Sequence, residues 1–472
     1  MAAAAAQLAV GVIAPSHLAA TAVQALAARG IEARPVDAGV EARPTRGGDT
    51  GIIGWALDAP PPAKLALELA ATCARAAAAG RPVCLLAPAP RGSGRTAIER
   101  AATLSYLRAH GAALCHDVDV WLEAMVALVR FGLPPGPRCA VIAPAGSWLE
   151  AQTQALSLEA DLVGARPPVV AKADDPTDVI LYDEAAGPPP AGRFAIAVVP
   201  RGELVDPKRP ALFGVRAALG AIEILGRAAQ RIAIGLGPAD VGATAELAID
   251  AALLARSVAK HGPEPRLGDH ETKLLLRAYG VAITRQTVAT TPSAAVKDAR
   301  KVGFPVEIKP WGFDVPSEPA GCPVERGITS DALVRRGFSA VLAAAGRLPT
   351  TTDGGAVIVR EAPPPGREVS ATFVKLPALG WTVVLDVPGA PAIAAAPAPL
   401  RLVDAQALAA TLVASRAADA EPDRAGLANL LRRASHLVVD LDARLTRLEL
   451  SRIVVGARGS RTLVIDAYAE LS

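Results

Sequence analysis

A lysine ends an apolar segment of this sequence, and a loop rich in proline and glycine follows it. The segment GFPVEIK ends at Lys309, and the loop beyond Pro310 reads WGFDVPSEPAGCP. An ammonium group fixed at the end of a buried strand can bind a phosphate oxygen as a point charge. Glycines let backbone N–H groups approach a polyphosphate closely. These residue types and their spacing therefore predict a cradle for a triphosphate.

The cysteines are the other residues whose chemistry has to be considered. They are odd in number, and no two have the CxxC spacing of a zinc or redox motif. We therefore expect apolar thiols in a reducing cytoplasm, without disulfides. We favour this role over metal binding for the cysteine that precedes His116. The five cysteines are Cys73, Cys84, Cys115, Cys139 and Cys322.

The elements that would position Lys309 are readable from the pattern between residues 269 and 326. The stretch reads as a helix, a strand, a second helix and then the strand that ends at Lys309. The first half of the chain alternates short apolar strands with alanine-rich helices, which indicates parallel strands joined by crossovers. The run PPGPR, Pro134–Arg138, predicts a boundary between two such α/β units.

Three of the predicted helices of the first half stop at or near a glycine, the residue expected after the last helical turn. The predicted strands are Leu8–Ala14, Thr50–Trp55, Pro82–Ala87, Cys139–Ala143, Val179–Tyr182 and Phe194–Val199. The predicted helices are Leu18–Ala28, Pro62–Ala79, Thr96–Ala109, Asp119–Phe131, Trp148–Leu156 and Leu219–Gln230.

Length and composition limit the classes of protein to which the chain can belong. Its 472 residues correspond to about three domains of ~150 residues each. The net charge of +3 without a basic block argues against a nucleic-acid partner. No Lys or Arg precedes Arg29, and Pro15 interrupts the first apolar run, so we expect a buried first strand and neither a signal peptide nor a membrane span. The mean hydropathy of +0.32 is high and indicates surfaces buried by a partner.

Several segments, taken in order, resemble the NDP-forming acyl-CoA synthetases, the family of ADP-forming acetyl-CoA synthetases and succinyl-CoA synthetases. The segments are VGVIAPSHLAATAVQALAARGIEA, GRPVCLLA, HETKLLLRAYGV, AAVKDARKVGFPVEIK and GFDVPSEPAGCPV. The resemblance implies an α/β protein with two flavodoxin-like parallel-sheet domains, followed by an ATP-grasp α+β domain. The predicted domains are residues 1–135, 136–258 and 259–472. We expect the chain to lack the CoA-binding Rossmann domain that precedes these domains in the family.

The resemblance also implies roles for individual residues, with ATP or ADP and Mg²⁺ as cofactors. Lys309 matches the first of two lysines that contact the nucleotide phosphates. Glu361 and Glu368 match positions beside the nucleotide, and Glu449 and Asp466 match positions at the metal. An alternative for Glu449 and Asp466 is that they are surface residues at the ends of strands.

The chain departs from the family at the reacting positions. The phosphorylated histidine falls on Gly92, in a segment that is either a surface turn or a residual anion-binding loop. The second phosphate lysine becomes a glutamate; the lost attraction and the added repulsion are each ~4 kcal/mol at ~4 Å and an effective dielectric near 20. Two loop glycines become a cysteine and a proline, which has no N–H to offer. The Asn-Pro of the metal motif also changes, so the binding of nucleotide and Mg²⁺ is expected to be weakened or lost. The altered positions are Gly92, Glu318, Cys322, Pro323, Ser451 and Arg452.

These departures leave three hypotheses open. The first is a degenerate homologue without catalysis, an accessory or structural subunit of a larger acyl-CoA-related assembly, with a protein partner or a second copy of itself. The second is an active acid–CoA ligase subunit that binds Mg-ATP through the five matched residues, while another chain supplies the CoA-binding domain. The third is a sensor whose altered pocket takes a less anionic ligand.

Overall fold

Four β-sheets form the framework of the residues that the structure describes, two of them parallel and two antiparallel. The contacts within the chain divide these residues into two compact units, the first up to Gly237 and the second from Pro238 onward. The structure is a computed structural model, and it describes residues 10–36, 51–90, 95–162, 169–170, 177–183, 194–202, 210–239, 247–259, 266–312, 321–346, 355–389, 393–412 and 421–472.

The first unit contains two five-stranded parallel sheets, with strand orders β2-β1-β3-β4-β5 and β10-β9-β8-β6-β7. Its strands are β1 (Val10–Ile13), β2 (Ala33–Pro35), β3 (Ile52–Ala56), β4 (Cys84–Leu86), β5 (Ala113–Cys115), β6 (Cys139–Ile142), β7 (Val169–Val170), β8 (Val179–Tyr182), β9 (Ala195–Val199) and β10 (Ala211–Phe213). Its helices are α1 (Ser16–Ala27), α2 (Ala63–Ala78), α3 (Arg95–Ala109), α4 (Val118–Arg130), α5 (Trp148–Leu162) and α6 (Val215–Ile234). The predicted α/β class with parallel sheets is confirmed.

Helices α4 and α6 pack against each other and join the two parallel sheets in one hydrophobic core. That core contains Val10 and Cys84 from the first sheet together with Val141 and Leu181 from the second. The indole of Trp121 on α4 is buried in it and donates a hydrogen bond to the carbonyl of Cys84 at 2.9 Å. The division of this region at residue 135 stays a prediction, since both sheets share this core.

The second unit contains a six-stranded antiparallel sheet of order β11-β20-β19-β16-β17-β18 and a four-stranded antiparallel sheet of order β12-β15-β13-β14. Its strands are β11 (Arg266–Leu267), β12 (Gln286–Ala289), β13 (Val306–Pro310), β14 (Glu325–Ile328), β15 (Val357–Glu361), β16 (Arg367–Leu376), β17 (Gly380–Asp386), β18 (Ala394–Pro397), β19 (Leu445–Val455) and β20 (Thr462–Leu471). Its helices are α7 (Ala251–Ala259), α8 (Asp269–Ala278), α9 (Pro292–Val302), α10 (Asp331–Ala345), α11 (Leu402–Ala409) and α12 (Arg424–Asp440).

The two antiparallel sheets define two lobes of the second unit. The small lobe is the four-stranded sheet with α9 and α10, and the large lobe is the six-stranded sheet with α8, α11 and α12. Local sequence explains how α9 leads into the small sheet. Thr291 caps its first turn by accepting a hydrogen bond from the Ala294 amide at 3.1 Å, and Pro292 occupies the first helical position. The predicted α+β class of this region is confirmed.

Two further features of the chain can be read from the described residues. Within these ranges, the structure has no helix that is both long enough and apolar enough to cross a membrane. All five cysteines are free thiols, and three of them, Cys73, Cys84 and Cys115, are buried in the first unit.

Candidate functional site

Lys309 lies on β13, a strand whose five residues are all buried. Its side chain is 1% exposed, and its Nζ forms an ion pair with Asp466 Oδ1 of β20. A second carboxylate oxygen, Oδ2 of Asp269 at the start of α8, lies 3.4 Å from the same Nζ. The lysine that the sequence singles out is therefore held inside the second unit between two carboxylates.

Arg360 on β15 extends this arrangement through a second set of ion pairs. Its Nη1 donates to Asp466 Oδ1 at 2.8 Å and to the carbonyl of Ile465 at 3.0 Å. Its Nε and Nη2 both donate to Glu307 Oε2, at 3.0 and 2.7 Å. The Arg360 side chain is 0% exposed, so its guanidinium depends on these protein acceptors.

Lys273 on α8 completes the group. It follows Asp269 by one helical turn and donates to Asp269 Oδ2 at 3.1 Å. It also donates to Thr284 Oγ1 at 3.0 Å, to Gln286 Oε1 at 2.8 Å and to the carbonyl of Ile465. Asp269 lies in the first turn of α8, where the positive end of the helix dipole also stabilises its carboxylate.

Together these residues form what we call the charge cluster, in which three cations balance three carboxylates. All of its members are buried, and all of its ion pairs except Lys273–Asp269 join residues far apart in the sequence. Burying charges is costly unless they are paired and hydrogen-bonded, and this arrangement meets that condition. The members are Asp269, Lys273, Glu307, Lys309, Arg360 and Asp466.

The pKa values within the charge cluster follow from this pairing. Burial would raise the pKa of Asp466, but Lys309 and Arg360 outweigh it and hold that pKa far below its usual range. Burial would lower the pKa of Lys309, but Asp269 and Asp466 raise it well above the ordinary value. Asp466 and Lys309 are therefore charged throughout the physiological range.

The other carboxylates matched by sequence each pair with an arginine. Glu361 accepts hydrogen bonds from the amide and from Nε of Arg285, at 2.9 and 2.7 Å. Glu368 accepts from Nη2 of Arg452 at 2.6 Å, and Glu449 lies 3.3 Å from Nη2 of its strand neighbour Arg447. Each of these three acids therefore has an arginine as an ion-pair partner.

The structure corrects one alternative from the sequence. Asp466 is not a surface residue at a strand end, because it lies inside β20 and is 0% exposed. Its neighbour across the sheet is Arg452, and the hydroxyl of Ser451 donates to the Asp466 carbonyl at 3.5 Å.

Two of the altered loop positions, Cys322 and Pro323, precede β14 and are half-buried. Gly92 and Glu318 lie outside the described residues.

The acids matched to the nucleotide and metal positions lie in separate ion pairs. Among the described residues there is no group of three or more His, Cys, Asp and Glu side chains positioned to hold a metal ion. Asp466 Oδ2 is buried without a hydrogen-bond partner, which leaves one oxygen free. Its other oxygen is held by two cations, and Mg²⁺ requires octahedral oxygen ligation.

The ammonium group of Lys309, at the position matched to a phosphate-binding lysine, has carboxylate partners within the chain. The ammonium group is enclosed, and two carboxylates of the same chain already occupy its charge.

Four members of the charge cluster were missed by the sequence reasoning: Asp269, Lys273, Glu307 and Arg360. A signal for two of them, Glu307 and Arg360, existed, because charged residues interrupt the otherwise apolar strands VEIK and VIVRE. Charged residues are almost never fully buried unless they are paired, so such interruptions indicate a buried partner.

Comparisons with known proteins agree with this fold. Residues 258–471 match the ATP-grasp domain family. The chain is 26% identical over 130 residues to a 4-hydroxybutyrate–CoA ligase (ADP-forming) of Nitrosopumilus maritimus, which covers 28% of this chain and 19% of that protein. It is 22% identical over 209 residues to the acetate–CoA ligase (ADP-forming) II subunit beta of Pyrococcus furiosus, covering 42% of this chain and 89% of the subunit.

Among solved structures, a similar chain is acetyl-coenzyme A synthetase 1 of Ca. Korarchaeum cryptofilum in complex with coenzyme A, Ca-AMPCP and HgCl+. The identity is 23%, the coverage is 47% of this chain and 99% of that one, and the TM-score is 0.42. The present chain thus matches only a fifth of the length of the Nitrosopumilus ligase but most of the Pyrococcus subunit. Residues 258–471 are an ATP-grasp domain, and the chain is homologous to the ADP-forming acetate–CoA and 4-hydroxybutyrate–CoA ligases.

Proposed function

We propose that this chain is a catalytically degenerate relative of the ADP-forming acid–CoA ligases and serves as an accessory or structural subunit of a larger acyl-CoA-related assembly. One observation carries the proposal: Lys309, at the position matched to a phosphate-binding lysine, is enclosed and neutralised within its own chain. The ATP-grasp fold is kept, while the charge that would hold a nucleotide is used for internal pairing.

The energetics of the charge cluster support this reading. To bind a phosphate, Lys309 would have to leave Asp466 and Asp269, and both carboxylates would then be buried beside one cation fewer. Removing one partner from a buried ion pair is strongly unfavourable, because the remaining charge is left uncompensated. The cost of releasing the lysine therefore opposes any gain from the nucleotide.

The pair between Glu368 and Arg452 points the same way. By resemblance, Glu368 lies beside the nucleotide and Arg452 stands in the metal motif. Here the two side chains bind each other, with Nε and Nη2 of the arginine 3.0 and 2.6 Å from one glutamate oxygen. A cation at this position competes with Mg²⁺ electrostatically, and the carboxylate is already occupied.

The subunit part of the proposal is supported by the Pyrococcus relative, which is named as one subunit of its ligase and is covered over 89% of its length. The apolar composition adds less support than the sequence alone indicated. Most of the large apolar side chains of the described residues are buried, and the exposed ones are single residues on separate elements: Leu65, Val118, Ile234, Phe304, Leu333 and Leu402. Scattered residues of this kind are normal on a protein surface.

Calorimetric titration of the full chain with Mg-ATP and with Mg-ADP tests the proposal. We expect no saturable heat at millimolar nucleotide, because Lys309 has no free charge to offer. Lys309→Met and Lys375→Met are the matched variants, since Lys375 is a half-exposed lysine of the same unit that pairs with Asp442. Circular dichroism establishes that each variant is folded.

A second candidate function, an active ligase subunit that binds Mg-ATP, is favoured by the ATP-grasp match and by the retention of a lysine at position 309. Saturable heat that Lys309→Met abolishes and Lys375→Met preserves would support this candidate and overturn the proposed loss of nucleotide binding. The proposal that the chain is a subunit is tested by light scattering of the purified chain, both alone and after co-purification from its native extract. A stable monomer with no co-purifying partner would contradict that proposal.

A further inference from the structure

The small lobe presents two chemically different faces, as the alternation of a β-strand requires. Val306 and Ile308 of β13, with Val357 and Val359 of β15, belong to the hydrophobic core beneath α9 and α10. The intervening residues of the same strands point to the opposite face, and three of them carry charge: Glu307, Lys309 and Arg360. One face of the small sheet is thus apolar and covered by helices, and the other is ionic.

The ionic face meets the large lobe. Lys309 and Arg360 bind Asp466 on β20, and Lys309 also approaches Asp269 on α8. The hydrophobic cores of the two lobes are separate clusters that share no residue. The two lobes are therefore in contact through buried charged side chains, whereas packed elements are usually held together by apolar side chains.

A short backbone connection between the lobes lies beside the ionic contact. The residues that lead into β12 run along β20: the amide of Thr284 donates to the carbonyl of Val464 at 3.2 Å, and the amide of Val464 donates to Ala282 at 3.0 Å. This connection involves only backbone atoms. These two hydrogen bonds do not involve the side chains of Lys309 and Asp466, so the connection can act as a hinge.

We propose that the charge cluster is an electrostatic latch that holds the two lobes of the second unit together in the absence of any ligand. Asp466 is its central residue, because it binds one cation from each of two small-lobe strands. Buried ionic contacts favour one geometry over others, since any misplacement leaves a charge unpaired. The latch needs no nucleotide, so it stands or fails independently of the proposed function.

Trp311 is a natural reporter of the contact between the lobes. It follows β13 in the small lobe, is half-buried, and its indole Nε1 donates to Glu271 Oε1 of α8 at 2.9 Å. If the lobes separate, the indole becomes more accessible to solvent. Its iodide quenching is measured as the difference between each chain and the same chain carrying Trp311→Phe.

The decisive variant is the double substitution Lys309→Met/Asp466→Asn in the full chain. It removes one cation and one anion together, so it leaves no excess buried charge that would by itself prevent folding. We expect unchanged far-ultraviolet circular dichroism and a rise of about twofold or more in the quenching of Trp311, as local opening predicts.

The matched control is Arg300→Met/Asp331→Asn, which removes an ion pair of the small lobe whose arginine is two-thirds exposed. It should leave the quenching of Trp311 unchanged. A folded Lys309→Met/Asp466→Asn chain with wild-type quenching would overturn the latch. Loss of helical signal in that variant would also overturn it, because the cluster would then support the fold of the lobes and not their contact. All measurements are made without nucleotide, so they do not depend on the calorimetric result.

Discussion

Lys273 and Lys309 share the carboxylate of Asp269, at 3.1 and 3.4 Å, yet their pKa values move in opposite directions. Lys309 has a second carboxylate, Asp466, directly bound, and the two anions outweigh the cost of burial. Lys273 is in direct contact with one carboxylate, Asp269, and with neutral acceptors. Burial therefore outweighs the attraction of Asp269 and the more distant Asp466, and lowers the pKa of Lys273 to about 8. The pKa of a buried lysine here therefore depends on whether it contacts one carboxylate or two.

This difference predicts how stability depends on alkaline pH. In the unfolded chain Lys273 keeps its proton up to an ordinary pKa of ~10.4, whereas the folded chain releases it near pH 8. Between these values the unfolded state binds more protons, so stability rises with pH, by at most ~1.4 kcal/mol per pH unit. Below pH 8 both states are protonated and the full cost of burial is present.

The measurement is the free energy of unfolding in urea from pH 7 to 10 for wild type and Lys273→Met. Above pH 8, we expect the free energy of unfolding of the wild type to increase relative to that of Lys273→Met. Lys375→Met, at a half-exposed lysine, should run parallel to the wild type. Parallel curves for Lys273→Met as well would show that Lys273 is not titrating in this range.

At this scale the sequence identified Lys309 and Asp466 but not their relation. The two residues lie 157 positions apart, and Asp466 was matched to a metal instead of to the lysine. Pairing across that separation depends on how β13 and β20 are brought together, which a single sequence does not specify. The charged residues within apolar strands were visible, and they indicate burial with a partner but do not identify the partner.

At the scale of elements, the six strands and six helices predicted in the first half correspond to observed elements. Their ends differ by four residues or fewer, except that α5 extends to Leu162 and not to Leu156. The strands that were missed, β2, β5, β7 and β10, are two or three residues long, too short to show a period. The run PPGPR was predicted as a boundary, and it is packed more closely than a linker would be: a Cβ added at Gly226 of α6 would lie 2.3 Å from the carbonyl carbon of Gly136.

This close approach predicts the effect of Gly226→Ala. On an exposed helix, alanine is more favourable than glycine by ~1 kcal/mol. Here the new Cβ would also lie 2.4 Å from the Gly136 oxygen and the Pro137 nitrogen, and backbone atoms cannot rotate away. We expect a loss of ~1–3 kcal/mol in the stability of the first unit, as for other overpacked sites.

Gly220→Ala on the same helix is the control, measured by the same urea denaturation. Its Cβ would lie 2.7 Å from a methyl of Val120, a side chain that can shift, so the loss should be smaller. If Gly226→Ala is as stable as the wild type while Gly220→Ala is less stable, then α6 does not approach the backbone of Gly136 as closely as the structure places it.

At the scale of the whole molecule, the order of the parallel and antiparallel regions was predictable, because strands that alternate with helices differ visibly from the strand-rich C-terminal part. The packing of the two parallel sheets around one core was not predictable. Helices α4 and α6 contribute to one core shared by both parallel sheets, and this depends on side chains brought together from residues 10 to 228. Such a core has no signature in a local window of sequence.

The separate cores of the two units predict how the full chain unfolds. The large hydrophobic clusters of the first unit contain only its own residues, and so do those of the second unit. Chains built from several cores depart from two-state behaviour, so calorimetry of the full chain should show two transitions. Gly226→Ala should lower the temperature of one transition, and Lys309→Met/Asp466→Asn should change only the other. A single transition that both variants shift together would mean that the two units unfold as one cooperative structure.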